Sequence, residues 1–280
     1  MIKLGIFGDQ TTNPAILDQI KTRQDVVIAG VYFSGNIPVP DGYVEIASPE
    51  GLMDVSDALL ILGHKSISAD LIRMILRKSK HLFLKTIPNL NVGDIKELTD
   101  LEKEAGSNIF IYNPFSYLSW LDPQATVYER PLLVNLRTCF EGTSIKPAHE
   151  LLLLVTALNR LIQSNYKKLD VFGLNEKGRQ LVINLRLEYD NGSVVNVTIS
   201  QENVAGYCEL FDQSGTARYD FKEPLFTLYP QFNQEINAIS GFIRNVQFQD
   251  KKNHTFYNFL NDLKILHEIK EHLRFNEIVF

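Results

Sequence analysis

Residues 56–88 read SDALLILGHKSISADLIRMILRKSKHLFLKTIP. The stretch holds a continuous apolar run (57–63), a helical pattern (68–79) and a second apolar run (81–88). A run without polar alternation suits a strand buried on both faces, and two such runs joined by a helix form a parallel βαβ unit. The same alternation continues upstream. IKLGIF is a strand, and Asn13-Pro14 starts a helix, because Asn caps well and Pro fits the first helical position. VVIAGVYF (26–33) is a second strand rich in β-branched residues, and a loop with Pro38, Pro40 and Gly42 follows. Downstream, VGDIKELTDLEKEAG (92–106) is a helix ended by Gly106, and NIFIYNP (108–114) is a last strand. Right-handed crossovers turn these pieces into a doubly wound parallel sheet, so a Rossmann-type α/β domain is expected over residues 1–119.

The pattern changes after about residue 120. RPLLVNLRTCFEG (130–142) is a strand candidate, and PAHELLLLVTALNRLIQ (147–163) is a strongly apolar helix. Leu181, Ile183, Leu185 and Leu187 then alternate with polar residues, as do Val195, Val197 and Ile199 beyond Asp190-Asn191-Gly192. An Asp-Asn-Gly run between alternating strands marks a hairpin. YCELFDQSGTARYDF (207–221) reads as another, and helices near 231–246 and 254–273 close the chain. Residues 120–280 are therefore expected to form an α+β domain with a mostly antiparallel open sheet, serving substrate binding and oligomerisation. Its second face carries Asn184, Arg186, Glu188, Val194, Asn196 and Thr198, a polar but weakly charged surface that a second copy of the chain could cover.

The 280 residues suit about two domains. A formal net charge of −5 and a pI near 5.7 argue against nucleic acid as the main partner. The basic stretch LIRMILRKSKH (71–81) reads as a solvated helix end. No apolar run approaches the roughly 20 residues that cross a bilayer, and the N-terminus lacks a secretory pattern. The two cysteines, Cys139 and Cys208, have no metal-ligand spacing and read as reduced thiols, which together points to a cytoplasmic protein without membrane or metal.

The order of these pieces resembles the Gfo/Idh/MocA oxidoreductases across nearly the whole chain. Residues 56–88 resemble that family's third strand, helix and fourth strand. LRLEYDNGSVVNVTIS resembles its hairpin, ELFDQSGTARYDF its glycine-containing strand pair, and QFNQEINAISGFIRN with the closing helix its C-terminus. The resemblance implies hydride transfer between NAD or NADP and a sugar- or cyclitol-like hydroxyl, in a homo-oligomer.

Residue by residue, the match to that chemistry is partial. Gly8 stands at the first glycine of the phosphate loop, Gln10 and Asn13 at the second and third. Backbone must approach a pyrophosphate closely there, so Gly8, Asp9, Gln10, Thr11, Thr12 and Asn13 form either a modified cofactor loop or a plain strand-to-helix turn. Phe33 stands where the ribose-binding acid is common, leaving Ser34 and Asn36 as hydrogen-bonding substitutes. Gly63, His64 and Lys65 follow the third strand at the edge where such sheets bind ligands. The family's Glu-Lys-Pro reads Lys85-Thr86-Ile87-Pro88 here, with Lys85 either a catalytic cation or a structural charge. Its Asp-x-x-x-His reads Ile145 to His149, keeping only the histidine as a candidate base. Two functions are thus expected: a divergent NAD(P)-dependent oxidoreductase using Lys85 and His149, or a non-catalytic ligand-binding or scaffolding member of the family.

Overall fold

The computed structural model describes residues 1–10, 12–35, 37–63, 67–88, 90–118, 121, 128–139, 147–176, 179–200, 206–221, 232–248 and 256–275. The chain forms two compact units: Met1–Tyr112 with Phe232–Leu260, and Asn113–Gln231 with Asn261–Phe280.

In the first unit, strands β1 (Ile2–Gly8), β2 (Val26–Phe33), β3 (Ala58–Ile61), β4 (His81–Leu84) and β5 (Ile109–Ile111) pair in parallel, in the order β2-β1-β3-β4-β5. Leu4, Ile6, Leu59, Leu60, Leu82, Phe83 and Leu84 are wholly buried. This is the consequence of covering both faces, and it explains the unbroken apolar runs. Helices α1 (Pro14–Lys21), α2 (Pro49–Val55), α3 (Ala69–Arg77) and α4 (Val92–Ala105) connect the strands. Each starts on a side-chain cap: Asn13, Ser48, Ser68, and the reciprocal pair Asn91 and Asp94. Gly106 ends α4 at φ +63°, where a Cβ would be strained. The loop after β2 contains α2, a seven-residue helix that lacks enough turns to display a period.

A later helix, α6 (Phe232–Phe248), belongs to this unit. Phe242 lies 5.8 Å from Phe83 and 6.3 Å from Phe110, ring centre to ring centre. Arg23 Nη1 donates to Ser240 Oγ at 2.8 Å. Linear order alone groups α6 with the second half; its aromatic face finds the first sheet instead.

In the second unit, β6 (Leu133–Cys139), β7 (Tyr166–Glu176), β8 (Arg179–Tyr189), β9 (Val194–Ser200), β10 (Gly206–Phe211) and β11 (Thr216–Phe221) form a sheet ordered β11-β10-β6-β9-β8-β7. Among the described residues the β6–β9 pair is parallel and the sheet's other pairs are antiparallel. The β8–β9 hairpin turns at Asp190-Asn191-Gly192, with Gly192 at φ +80°. Ile183, Leu185, Leu187, Val195, Val197 and Ile199 are buried as their alternation requires. On the other face Asn184 Nδ2 donates to Thr198 Oγ1 at 2.8 Å, and Asn196 Nδ2 to Asn135 Oδ1 at 2.9 Å. Sequence reading passes over β7: Phe172 and Leu174 are 61% and 48% exposed, so its alternation runs against the usual apolar-inside rule.

The apolar helix α5 (Pro147–Ile162) is buried on nearly all sides. Its Asn159 links two neighbours: Oδ1 accepts from Tyr189 Oη at 2.6 Å, and Nδ2 donates to Asp262 Oδ1 at 2.6 Å. Asp262 sits on α7 (Phe256–Phe275). Burial pushes its carboxyl up from 3.8 to about 6, against the opposing hydrogen bond from Asn159. Raised acids stabilise the fold when protonated, so this contribution is complete below about pH 4 and is lost as pH rises through about 6. Asp262→Asn is expected to flatten that part of the stability profile, read as urea midpoints between pH 4 and pH 8.

Candidate functional site

Strand order reverses at β1 and β3, which sit side by side while their sequence neighbours lie further out. Open α/β sheets take ligands at such a reversal, beyond the carboxyl ends of the strands. The residues that follow β1, β2, β3 and β4 are the ones that matter here.

Gly8 ends β1, and a Cβ on it would meet the Phe33 ring at 2.7 Å and Thr12 Oγ1 at 3.0 Å. Phe33 therefore lies across the side-chain-free face of Gly8. Asp9 comes next and is 2% exposed. Its backbone N–H donates to Thr12 Oγ1 at 3.0 Å, and its carbonyl accepts the Thr12 N–H at 3.0 Å. The Asp9 side chain packs on Gly63, two residues beyond β3, where a Cβ would stand 2.8 Å from its carboxyl carbon. Ser34 follows β2 and donates its N–H to the Gly8 carbonyl at 3.0 Å. Gln10 is exposed in the turn.

The α1 start consumes its own donors. Pro14 has no N–H, Asn13 Oδ1 accepts from Ala15 N at 3.0 Å, and the Asn13 carbonyl accepts from Ile16 N at 3.1 Å. A helix N-terminus attracts anions through unsatisfied N–H groups, and the cap has taken this part of the supply.

Lys85 follows β4 directly, with its N–H on the Ile61 carbonyl at 3.0 Å. Its ammonium lies 3.0 Å from Glu235 Oε2 on α6, the side chains being 13% and 7% exposed. The second carboxylate oxygen, Oε1, is buried without a hydrogen-bond partner among the described residues.

The structure thus brings together Gly8, Asp9, Thr12, Asn13, Ser34 and Gly63, and joins Lys85 to Glu235. Thr11, Asn36, His64 and Lys65 lie outside the described residues. His149 falls in the first turn of α5, in the second unit, and its side chain is not described. Sequence reasoning missed Glu235. Its signal is visible in retrospect: Glu235, Ala238, Ile239, Phe242 and Ile243 share one buried helical stripe, and a carboxylate at such a position needs a partner. Among the described residues no cluster of His, Cys, Asp and Glu could hold a metal ion, and no helix is long and apolar enough to cross a membrane.

No protein-family model matches the sequence, and no curated protein matches it. Solved structures do. A probable dehydrogenase from Thermotoga maritima superposes with a TM-score of 0.76 at 13% identity, covering 98% of this chain and 97% of its own. UDP-N-acetylglucosamine 3-dehydrogenase GnnA from Acidithiobacillus ferrooxidans gives 0.74 at 12%, covering 96% of each chain. GenD2 from gentamicin A biosynthesis, in complex with NAD, gives 0.68 at 10%, covering 95% of this chain and 93% of its own. The fold is shared with these dehydrogenases: a Rossmann-like parallel sheet plus a second, mostly antiparallel one.

GenD2 carries NAD on this fold, and the described residues here do not fit a dinucleotide. Both glycines that could admit a ligand to the backbone are covered by the chain's own Phe33 and Asp9. The position of the ribose-binding acid holds a phenyl ring, and the Asp9 carboxyl lies buried between the ends of β1 and β3.

Proposed function

We propose that this protein binds a sugar- or cyclitol-like polyhydroxyl compound, as a ligand-binding or scaffolding protein on an oxidoreductase fold. The Lys85–Glu235 pair carries this reading. It stands at the carboxyl end of a parallel strand, and one Glu235 oxygen has no partner among the described residues. An ammonium has three donors and a hydroxyl both donates and accepts. A hydroxyl can therefore accept from one of the Lys85 Nζ donors that Glu235 leaves. An anionic ligand group would meet the Glu235 charge and an amine the Lys85 charge, so the pair selects a neutral hydroxyl. Ligand binding to the native state raises stability by RT ln(1 + [L]/Kd). The test is thermal stability in the presence of myo-inositol, glucose and UDP-N-acetylglucosamine. Stabilisation by at least one, abolished in Glu235→Gln, is expected; a flat response to all three overturns the reading.

A second reading is favoured by the likeness of fold over almost the entire chain. It is an oxidoreductase acting on such a hydroxyl with NAD or NADP, a reading that the crowding of Gly8 by Phe33 and of Gly63 by Asp9 counts against. A change in nicotinamide absorbance with any of the three compounds would establish it. In either case we place the protein in the cytoplasm as a homo-oligomer. Exposed Phe172 and Leu174, beside the polar ladder of Asn184, Thr198, Asn196 and Asn135, supply an open sheet face for a second copy. Phe172→Asp is expected to lower the mass seen by analytical ultracentrifugation to that of one chain.

A further inference from the structure

We infer that Asp9 and Phe33 close the dinucleotide crevice from within, so that the folded protein excludes NAD(H) and NADP(H). This stands independently of the ligand reading at Lys85, which concerns the end of a different strand.

Three observations converge. The first is position. The crevice of a doubly wound sheet opens where strand order reverses, here between the ends of β1 and β3. The Asp9 carboxyl lies on Gly63 at that spot, 2% of the residue remaining exposed. A pyrophosphate placed there would meet the carboxyl group.

The second is the ring. Phe33 ends β2, where an acidic residue would take the ribose hydroxyls. Its edge comes within 2.8 Å of the place a Gly8 Cβ would occupy. A phenyl ring offers no acceptor to a ribose and takes the room one needs. The third is the backbone. Residues 9 and 12 hold each other by two reciprocal hydrogen bonds, and the Asn13 side chain and carbonyl take the next donors of α1. The turn is therefore fixed with Asp9 pointing inward, and the donors Thr12, Ala15 and Ile16 are already spent.

The glycines then have a different meaning from the one the sequence suggests. Gly8 and Gly63 have no side chains because Phe33 and Asp9 need the space, rather than because a cofactor does.

The experiment is fluorescence titration of NADH and NADPH into the full chain and into Asp9→Gly/Phe33→Ser. The wild-type protein is expected to show no saturation at millimolar cofactor, and the double variant at least a tenfold gain in affinity. Saturable wild-type binding at or below millimolar concentration overturns the inference. So does a double variant with a native circular dichroism spectrum that binds no better. If the double variant does not fold, Asp9→Ser replaces it: it keeps a hydrogen-bonding side chain while removing the carboxyl group, and the same two outcomes decide. Stabilisation by myo-inositol or glucose is measured on the same samples and reports on the Lys85 reading alone.

Discussion

Lys85→Met will destabilise the first unit by about 3–5 kcal/mol, the cost of stranding one member of a buried ion pair. Glu235 would be left 5% exposed with neither oxygen hydrogen-bonded among the described residues. Glu235→Gln removes the other charge and should cost less. Lys85 is 13% exposed in its side chain, and a long alkyl stem can carry an ammonium toward water. The double variant Lys85→Met/Glu235→Met should recover most of the loss, because well-packed apolar residues often replace a buried pair without penalty. Urea denaturation of the four proteins closes a double-mutant cycle, and a coupling energy above about 2 kcal/mol is expected for groups in direct contact. A coupling near zero would mean that the pair is solvated and that the ammonium is at liberty. The pair also binds sequence-distant parts of the unit: Lys85 lies at the end of β4 and Glu235 in the first turn of α6. The first signal of its loss should therefore be early hydrogen exchange in α6.

The parallel sheet was legible because burial on both faces leaves unbroken apolar runs, and the runs at 57–63 and 81–88 could be nothing else once a helix separated them. Asn13-Pro14, Gly106 and Asp190-Asn191-Gly192 were legible because each meets a local backbone requirement that few residues satisfy. Strand β7 was not, because an edge strand that turns Phe172 and Leu174 outward contradicts the pattern that identifies strands. The candidate site shows the same division. Which residues follow the strand ends could be read from the sequence. That Lys85 faces Glu235 could not, because the two are brought together by the docking of α6 and no local pattern encodes that contact. Nor could the covering of Gly8 and Gly63. A glycine made necessary by a neighbouring side chain and one made necessary by a ligand are the same letter, and only the position of Phe33 and Asp9 separates the two.

Glu102→Gln will stabilise the first unit at alkaline pH by up to about 3 kcal/mol and change little in acid. Glu102 lies on the inner face of α4, 7% exposed, and its Oε1 accepts the Ile109 N–H at 2.7 Å where β5 begins. Burial pushes the carboxyl up from its ordinary 4.5 to about 7, while the Ile109 N–H and the nearby Lys103 charge act in the opposite sense. The proton is thus held more tightly in the folded chain than in the unfolded one. The stabilising contribution is full below about pH 4.5 and disappears as pH rises through about 7, since above that value the fold must bury a charge that the unfolded chain exposes. One unit of displacement is worth about 1.4 kcal/mol, which sets the size of the effect. Glutamine keeps the oxygen that Ile109 uses and cannot ionise, so the variant isolates the charge from the hydrogen bond. Urea midpoints from pH 4 to pH 9 should fall further for wild type than for Glu102→Gln, which keeps only the part of the decline that Asp262 contributes. Parallel curves for the two proteins would show that Glu102 keeps its ordinary proton affinity. Glu102→Ala should be worse than wild type at both extremes, because it removes the hydrogen bond that ties the start of β5 to α4.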